Sequence, residues 1–246
     1  MNGEIFSQSH LKPVIMKNLF LSMLVLFLVV GCSSDENEIA VEVGKNTMVE
    51  TKISKQLGPA NAANPFDVVG KRYGAWLSEY YQNKGYPKVV DELRAFVNYS
   101  GAKWKAANFS GKSSIVFTAE DISMIVSNPE ATITSTFAMG TLGDEAKTSL
   151  LGLFLWLIQE KEAEYKLLYD FIVAYEAGVI DSSSLSGEEV ETILGITSVT
   201  RYALDAEGEN KDRDWEISVG NKKVKSGVYP FRASLISVIA HLPYYL

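Results

Sequence analysis

Apolar residues recur at helical spacing through most of the chain beyond residue 64. From Asn64 they follow the three-to-four-residue period of an amphipathic helix as far as Gly85 and Pro87, which are typical helix-ending residues. Asn64 is suited to cap this helix, and Pro65 suits its first turn. A second helix is predicted over residues 89–97.

The longest helical pattern runs over residues 144–177. Its stretch LLGLFLWLI, residues 150–158, is apolar on all sides, which predicts the central buried helix of the fold. Thr118 and Ser186 each precede an acidic residue by three positions, the spacing of a capping box, so each predicts a helix start. A last helix is predicted from Pro230.

Three segments lack helical periodicity. Residues 98–114 are polar and contain two glycines, which predicts a loop, and residues 114–117 predict a short strand. Trp215, Ile217 and Val219 alternate before a Gly-Asn pair, which predicts a β-hairpin over residues 215–226. The sum is an all-α bundle of about six helices with a small β-hairpin near the C-terminus.

The N-terminal part has the features of a secretion signal. Residues 19–30 form an apolar run of about a dozen residues, shorter than the roughly 20 that span a bilayer, and Lys17 precedes it. Met1 and Met16 both remain open as the start of the protein.

The apolar run ends at Cys32, which is the only cysteine of the chain. The sequence LVVGC, residues 28–32, resembles the lipobox of bacterial lipoproteins. This resemblance implies cleavage that removes residues 1–31 and attachment of lipid to Cys32, which would anchor the protein to a membrane. We then expect a flexible acidic tether over residues 32–63 and a single, mainly helical domain over residues 64–246.

The residues after Cys32 bear on the choice of membrane face. Ser33 stands where some bacterial lipoproteins carry an aspartate that resembles an inner-membrane retention signal, which favours the outer membrane. Asp35, Glu36 and Glu38 resemble the export signal of surface lipoproteins of Bacteroidota. A solvated acidic tether on a lipoprotein that faces the periplasm is the alternative.

The stretch NPFDVVGKRYGAWLSEYY, residues 64–81, is similar to the Asn-Pro-aromatic-Asp opening of many uncharacterised exported proteins of Bacteroidota. That family implies no activity for the chain.

Composition and motif context argue against nucleic acid and nucleotide partners. The net charge is −7, whereas a nucleic-acid surface needs clustered Lys and Arg. Residues 106–113, AANFSGKS, resemble a phosphate-binding loop, but a polar stretch precedes them and a β-branched stretch follows, the reverse of the strand and helix that such a loop needs. We expect no nucleotide and no other cofactor.

A loose resemblance to a calcium-binding loop appears in DAEGENKDRDWE, residues 205–216. Asn210 stands where the sharp turn of that loop needs glycine, and Lys211 and Arg213 would partly neutralise the site. We therefore interpret this segment as a solvated acidic loop and expect no metal site.

Catalytic constellations are hard to build from these residues. Once the signal is removed, His241 is the only histidine, and we interpret it as a packed or surface residue. Paired carboxylates remain conceivable, but nothing in the spacing of Asp67, Glu79, Asp91 and Glu92 selects a pair. No catalytic residue is assigned.

Aromatic residues cluster between positions 76 and 104. Helical spacing makes Trp76 and Tyr80 core residues. Tyr86, Tyr99 and Trp104 are predicted in turns or loops, so they are candidates for a contact surface.

Three functions follow as hypotheses. The first is an outer-membrane or surface-anchored lipoprotein whose helical domain binds a protein or glycan partner. The second is a glycan hydrolase that uses paired carboxylates, and the third is an immunity lipoprotein that protects the cell against a secreted toxin.

Overall fold

The computed structural model describes residues 58–108, 115–218 and 232–246, with backbone alone at 108 and over 209–218. Internal contacts divide the chain into two units, and the unit Ser54–Leu246 holds all of the described residues. The other unit, Met1–Ile53, lies outside them, and so do the predicted signal peptide, the predicted lipobox and most of the predicted tether.

Within these described ranges the chain forms eight α-helices and no strand. The helices are α1 (Asp67–Lys84), α2 (Val90–Asn108), α3 (Ala119–Ser127), α4 (Pro129–Met139), α5 (Asp144–Gln159), α6 (Tyr165–Ile180), α7 (Gly187–Ser218) and α8 (Ala233–His241), followed by a 3-10 turn at Leu242–Tyr244. The all-α class is confirmed, with more helices than the six expected.

The two helix starts predicted from capping boxes are confirmed, whereas the helix expected to begin at Asn64 and Pro65 begins at Asp67, with Phe66 at its N-cap position and no side-chain cap. Thr118 and Asp121 form a reciprocal capping box at the start of α3. Ser186 and Glu189 do the same before α7, with the Ser186 amide donating to the Glu189 carboxylate over 2.8 Å. Capping boxes predict helix starts reliably because the two residues that form each box lie within four positions of each other.

Two helix boundaries differ from the prediction. The single helix expected over residues 144–177 is divided into α5 and α6 by a polar connection at residues 160–164, which contains no glycine or proline to mark a break. The loop expected over residues 98–114 is helical as far as Asn108. Ala102, Lys103 and Lys105 are good helix formers, and their propensity prevails over the polar composition.

The short strand expected over residues 114–117 is absent from the part of this segment that the structure describes, residues 115–117. The side chain of Asn98 replaces the missing neighbour strand. Its Nδ2 donates to the Phe117 carbonyl over 3.0 Å, and its Oδ1 accepts from the Phe117 amide over 2.9 Å. The backbone polar groups of Phe117 are therefore satisfied without a sheet.

The predicted β-hairpin is wrong in its first strand. Trp215 and Ile217 lie in α7, which continues to Ser218. The proposed turn and second strand, residues 219–226, lie outside the described residues. The alternation that suggested a strand covers only five residues, which is too few to separate a two-residue period from a helical one.

The central buried helix is α8, not the first half of the long helical pattern. All nine residues of α8 are buried, and the helix packs against α2, α3, α4 and α7. In α5, by contrast, Gly152 is exposed and Trp156 is half-buried, while Leu150, Leu153 and Phe154 face the core. An apolar helix at the edge of the bundle thus resembled a central one in sequence.

Two glycines allow α1 and α7 to pack closely. A Cβ atom at Gly70 would lie 2.4 Å from the Ser198 carbonyl oxygen, and one at Gly74 would lie 3.0 Å from the Tyr202 Cβ. The Gly70 amide donates to the Ser198 hydroxyl over 3.0 Å. Because both pairs advance four residues in the same direction, α1 and α7 run parallel at this contact.

Buried polar side chains fasten the segment before α1 to the bundle. Asn61 and Asn64 donate to the Glu176 carboxylate over 2.6 and 2.8 Å, and the Thr197 hydroxyl donates to it over 2.6 Å. Arg201, fully buried, completes this set. The first described residues, which we expected to belong to the tether, are thus in contact with the helical domain.

Arg201 joins three separate parts of the chain. Its Nε donates to Glu176 over 3.2 Å, its Nη2 to Asp67 over 2.5 Å, and its Nη1 to the Pro59 carbonyl. Asp67 also accepts from the Tyr202 hydroxyl over 2.8 Å. The buried cation therefore has two carboxylate partners, as a buried charge requires.

Candidate functional site

A shallow, open depression of the described surface lies between α1 and α2, and we call it the α1–α2 groove. It has a volume of about 450 Å³ and is lined by Glu79, Tyr80, Asn83, Lys84 and Tyr99. Four of these residues come from the last two turns of α1, and Tyr99 comes from the middle of α2.

Tyrosine rings form the apolar part of the groove. Tyr80 is buried, and its ring packs 5.1 Å from the Phe96 ring, which fixes its position. The half-buried Tyr99 ring lies 5.3 Å from the Tyr80 ring at an angle of 52°. The two rings thus make a rigid apolar corner, and edge-tilted contacts of this kind are favourable beyond the area they bury.

An ion pair lies beside Tyr99. Lys103 Nζ is 3.2 Å from Glu79 Oε2 and 5.4 Å from the centre of the Tyr99 ring. The hydrogen bond from Lys103 lowers the pKa of the Glu79 carboxyl, and the same contact raises the pKa of Lys103. Glu79 is therefore ionised at neutral pH and acts as a hydrogen-bond acceptor.

Two more polar groups of the groove come from the end of α1. Asn83 Nδ2 donates to the Glu79 carbonyl oxygen over 2.8 Å, which leaves the Asn83 Oδ1 as an acceptor. Lys84 is exposed, and the described residues contain no partner for its ammonium group. The groove combines apolar rings with a carboxylate, an amide oxygen and an ammonium group.

Of the three predicted contact residues, Tyr99 is the one that lines the groove. It lies in α2 rather than in the predicted loop. Nothing in the sequence pointed to Glu79, Asn83 or Lys84 as its neighbours, because they approach Tyr99 only when α1 packs against α2.

Tyr86 lies in the connection between α1 and α2, as predicted, but its hydroxyl points inward. It donates to Glu207 Oε1 over 3.1 Å and accepts from the Ala233 amide over 3.3 Å. Burial, followed by the charge of Glu207, raises the pKa of the Tyr86 hydroxyl. Glu207 also accepts from the Ser234 amide over 2.9 Å, which places a carboxylate at the positive end of α8.

Trp104 does not contribute to the described surface. It is 4% exposed, and its ring lies 6.1 Å from the Tyr73 ring and 4.9 Å from the Tyr245 ring. The prediction of a loop at this position is wrong, because α2 carries Trp104 into the core. Of the two predicted core aromatics, Tyr80 is buried and Trp76 is half-buried against the core.

His241 is packed, in agreement with its interpretation from the sequence. Its Nε2 lies 3.1 Å from the Val97 carbonyl oxygen, so this nitrogen carries the proton, and its Nδ1 accepts from the Tyr73 hydroxyl over 3.1 Å. Burial lowers the pKa of His241 to about 4. Ser237 contacts the Tyr73 hydroxyl over 2.9 Å, so a tyrosine separates this serine from the imidazole.

The segment with a loose resemblance to a calcium loop is helical. Residues 205–216 lie within α7, so neither the calcium loop nor the solvated acidic loop is formed. Within the described ranges, no group of three His, Cys, Asp or Glu residues is arranged to hold a metal ion. Of the phosphate-loop resemblance, residues 106–108 end α2, and residues 109–113 lie outside the described residues.

None of the described helices has both the length and the apolar composition needed to cross a bilayer. The chain matches no family model, no curated protein and no solved structure.

Proposed function

We propose that the chain is a lipoprotein of the bacterial cell envelope, and that its helical domain is a binding module with the α1–α2 groove as its contact surface. Cys32 would carry the lipid. The observation that supports the binding role is the groove itself, in which Tyr99 lies beside charged and amide groups at the surface.

The lipobox LVVGC, residues 28–32, supports the anchor. Two or more acyl chains on Cys32 would hold the protein stably at a membrane, whereas one chain gives only marginal binding. Ser33 in place of an aspartate favours the outer membrane, and the acidic residues Asp35, Glu36 and Glu38 favour display on the cell surface.

The position of the groove on α1 supports the same function. The segment from the proposed anchor joins the domain at Pro59, which contacts Arg201 next to the start of α1. Glu79 lies twelve residues beyond Asp67, which corresponds to about 18 Å along the helix. Among the described residues, the groove is therefore at the opposite end of α1 from Pro59.

Metabolic labelling with a palmitate analogue tests the anchor, with the wild type and Cys32→Ala compared. We expect label and outer-membrane fractionation for the wild type, and neither for Cys32→Ala. Membrane association of Cys32→Ala equal to that of the wild type would contradict the proposal. Protease treatment of intact cells then distinguishes the faces, because digestion of the wild type from outside is expected only for surface display.

The carboxylate-pair hydrolase receives no support from this groove. Glu79 is the one carboxylate among its described lining residues, and it is already paired with Lys103. A retaining or inverting glycosidase needs two carboxylates at a fixed separation around the scissile bond.

A further inference from the structure

We propose that the α1–α2 groove binds one pyranose ring of a neutral glycan. This inference rests on the proposed role of the groove as a contact surface and names its ligand class. It follows from the size of the groove, from its tyrosine rings and from its balance of charge.

The size of the groove fits a small ring. The segment Glu79–Lys84 that forms one wall advances about 7.5 Å along the axis of α1. A helical peptide would need a longer groove, since its anchor positions i to i+7 extend over about 10 Å. Strand addition needs a sheet edge, and the described residues contain no strand. A volume of about 450 Å³ is within the range of small-ligand sites.

The half-buried ring of Tyr99 is the surface that would pack against the apolar side of a sugar, and the buried Tyr80 ring supports it from the core. A pyranose presents a face of C–H groups, which is apolar and flat enough to pack against an aromatic ring. Tyr80 is fixed by Phe96, and Tyr99 is fixed by Tyr80 and by the ammonium group of Lys103 at its ring. A preformed platform lowers the entropy cost of binding.

The polar groups of the groove fit sugar hydroxyls. Each hydroxyl both donates and accepts a hydrogen bond. Glu79 and the Asn83 Oδ1 offer acceptors, and Lys84 offers a donor. These groups surround the tyrosine corner, so a ring stacked on Tyr99 would have hydrogen-bonding partners at its edge.

The charge of the groove disfavours an anionic ligand. Lys84 is the one cation among the described lining residues, and the nearby Lys103 is paired with Glu79. The Tyr80 hydroxyl donates to the Glu92 carbonyl oxygen over 3.4 Å, and burial, followed by the charge of Glu92, raises the pKa of this hydroxyl. Phosphate recognition relies on several converging cations or backbone amides, which the groove does not offer. A neutral sugar requires none of these.

Saturation-transfer NMR on the purified full-length lipoprotein tests the proposal, in a detergent without a sugar headgroup. The probes are the methyl glycosides of glucose, galactose, mannose and N-acetylglucosamine in both anomeric forms, with glucuronate and glucose 6-phosphate as charged comparisons. We expect at least one neutral glycoside to receive saturation at its ring C–H protons, with a millimolar dissociation constant.

Variants of the groove link the signal to this site. Tyr99→Ala should raise the dissociation constant at least about tenfold, because it removes the central aromatic contact. Tyr99→Phe should retain most of the binding, since the ring is kept. Gln82→Ala is the matched control, because Gln82 is exposed on α1 but does not line the groove. The amide spectrum of each variant shows whether it is folded.

Three results would overturn the proposal: no saturation transfer to any neutral glycoside, binding that Tyr99→Ala leaves unchanged, or tighter binding of the charged sugars than of the neutral ones. None of these results bears on the lipid anchor, which is measured separately through Cys32→Ala. If the groove binds no sugar but is covered by a partner in cells, it would instead be a contact surface for another ligand.

Discussion

Removal of the buried cation Arg201 should strongly destabilise the domain. In Arg201→Met, Glu176 stays fully buried and keeps its three neutral donors, Asn61, Asn64 and Thr197, but loses its only cationic partner. Breaking a buried ion pair by removing one partner typically costs about 3–5 kcal/mol. Much of the 5–15 kcal/mol stability typical of a domain would then be lost.

Urea unfolding followed by far-UV circular dichroism measures this effect. The matched control is Arg94→Met, because Arg94 also pairs with a carboxylate, Asp91, but both side chains are well exposed. Such a surface pair contributes less than about 1 kcal/mol. A double variant with Glu176→Gln should recover part of the loss, because a neutral amide oxygen can still accept from the asparagines.

A loss below about 1 kcal/mol for Arg201→Met, similar to that of Arg94→Met, would refute the account of the buried network. Full additivity of Arg201→Met and Glu176→Gln would also contradict it, because residues in direct contact should be coupled.

Three further predictions follow from packing and burial. Gly70→Ala should destabilise the domain by at least about 1–3 kcal/mol, because the added Cβ would meet the backbone of α7. Gly152→Ala, on the exposed face of α5, should instead stabilise the domain by up to about 1 kcal/mol. Equal effects of the two substitutions in thermal unfolding would contradict the close contact between α1 and α7. The free energy of unfolding should fall by up to about 3 kcal/mol as the pH falls from 6.5 to about 4, because His241 is protonated in the unfolded chain but not in the folded one. His241→Gln should lack this pH-dependent loss in urea titrations, and an identical pH dependence of the two proteins would refute the prediction. Tyr86→Phe should cost about 1–3 kcal/mol because Glu207 loses a hydrogen bond inside the fold; an unchanged urea midpoint would show that the Tyr86 hydroxyl is dispensable.

Local signals in the sequence predicted most of the helix starts. The capping boxes at Thr118 and Ser186 are confirmed because each depends only on neighbouring residues. The Asn-Pro-Phe-Asp stretch also predicted a helix start. Its tertiary role was not predictable, because the partners of Asn64 and Asp67 are Glu176 and Arg201, more than one hundred residues away.

Burial was harder to predict than helix type. The stretch LLGLFLWLI, residues 150–158, is more apolar than α8, yet α8 lies at the centre. Serines on α8 conceal its burial in the sequence, and they are accommodated because Ser234 donates to Glu207 and Ser237 contacts Tyr73. Buried polar groups with internal partners have little energetic cost, and composition alone does not reveal such partners.

Of the residues that line the groove, the sequence predicted one as a contact residue. Tyr99 was identified as a surface aromatic even though its segment was taken for a loop, and Trp104 was misplaced by the same error. The residues of α1 that complete the groove are ordinary polar positions of an amphipathic helix. Only the packing of α1 on α2 gives them a common surface.

Protection of the groove in cells tests the central claim most directly. Cys32 is the only cysteine, so with Cys32 lipidated as proposed, Asn83→Cys provides the sole free thiol, and Gln82→Cys provides the matched control on the neighbouring exposed position. A maleimide that does not cross the inner membrane is applied to cells with a permeabilised outer membrane and to purified protein. We predict that Asn83→Cys is labelled more slowly in cells than as purified protein. Gln82→Cys should be labelled equally fast in both settings, and the unsubstituted chain should not be labelled. Equal labelling of Asn83→Cys in both settings would contradict the binding role of the groove, and labelling of the unsubstituted chain would contradict lipidation of Cys32.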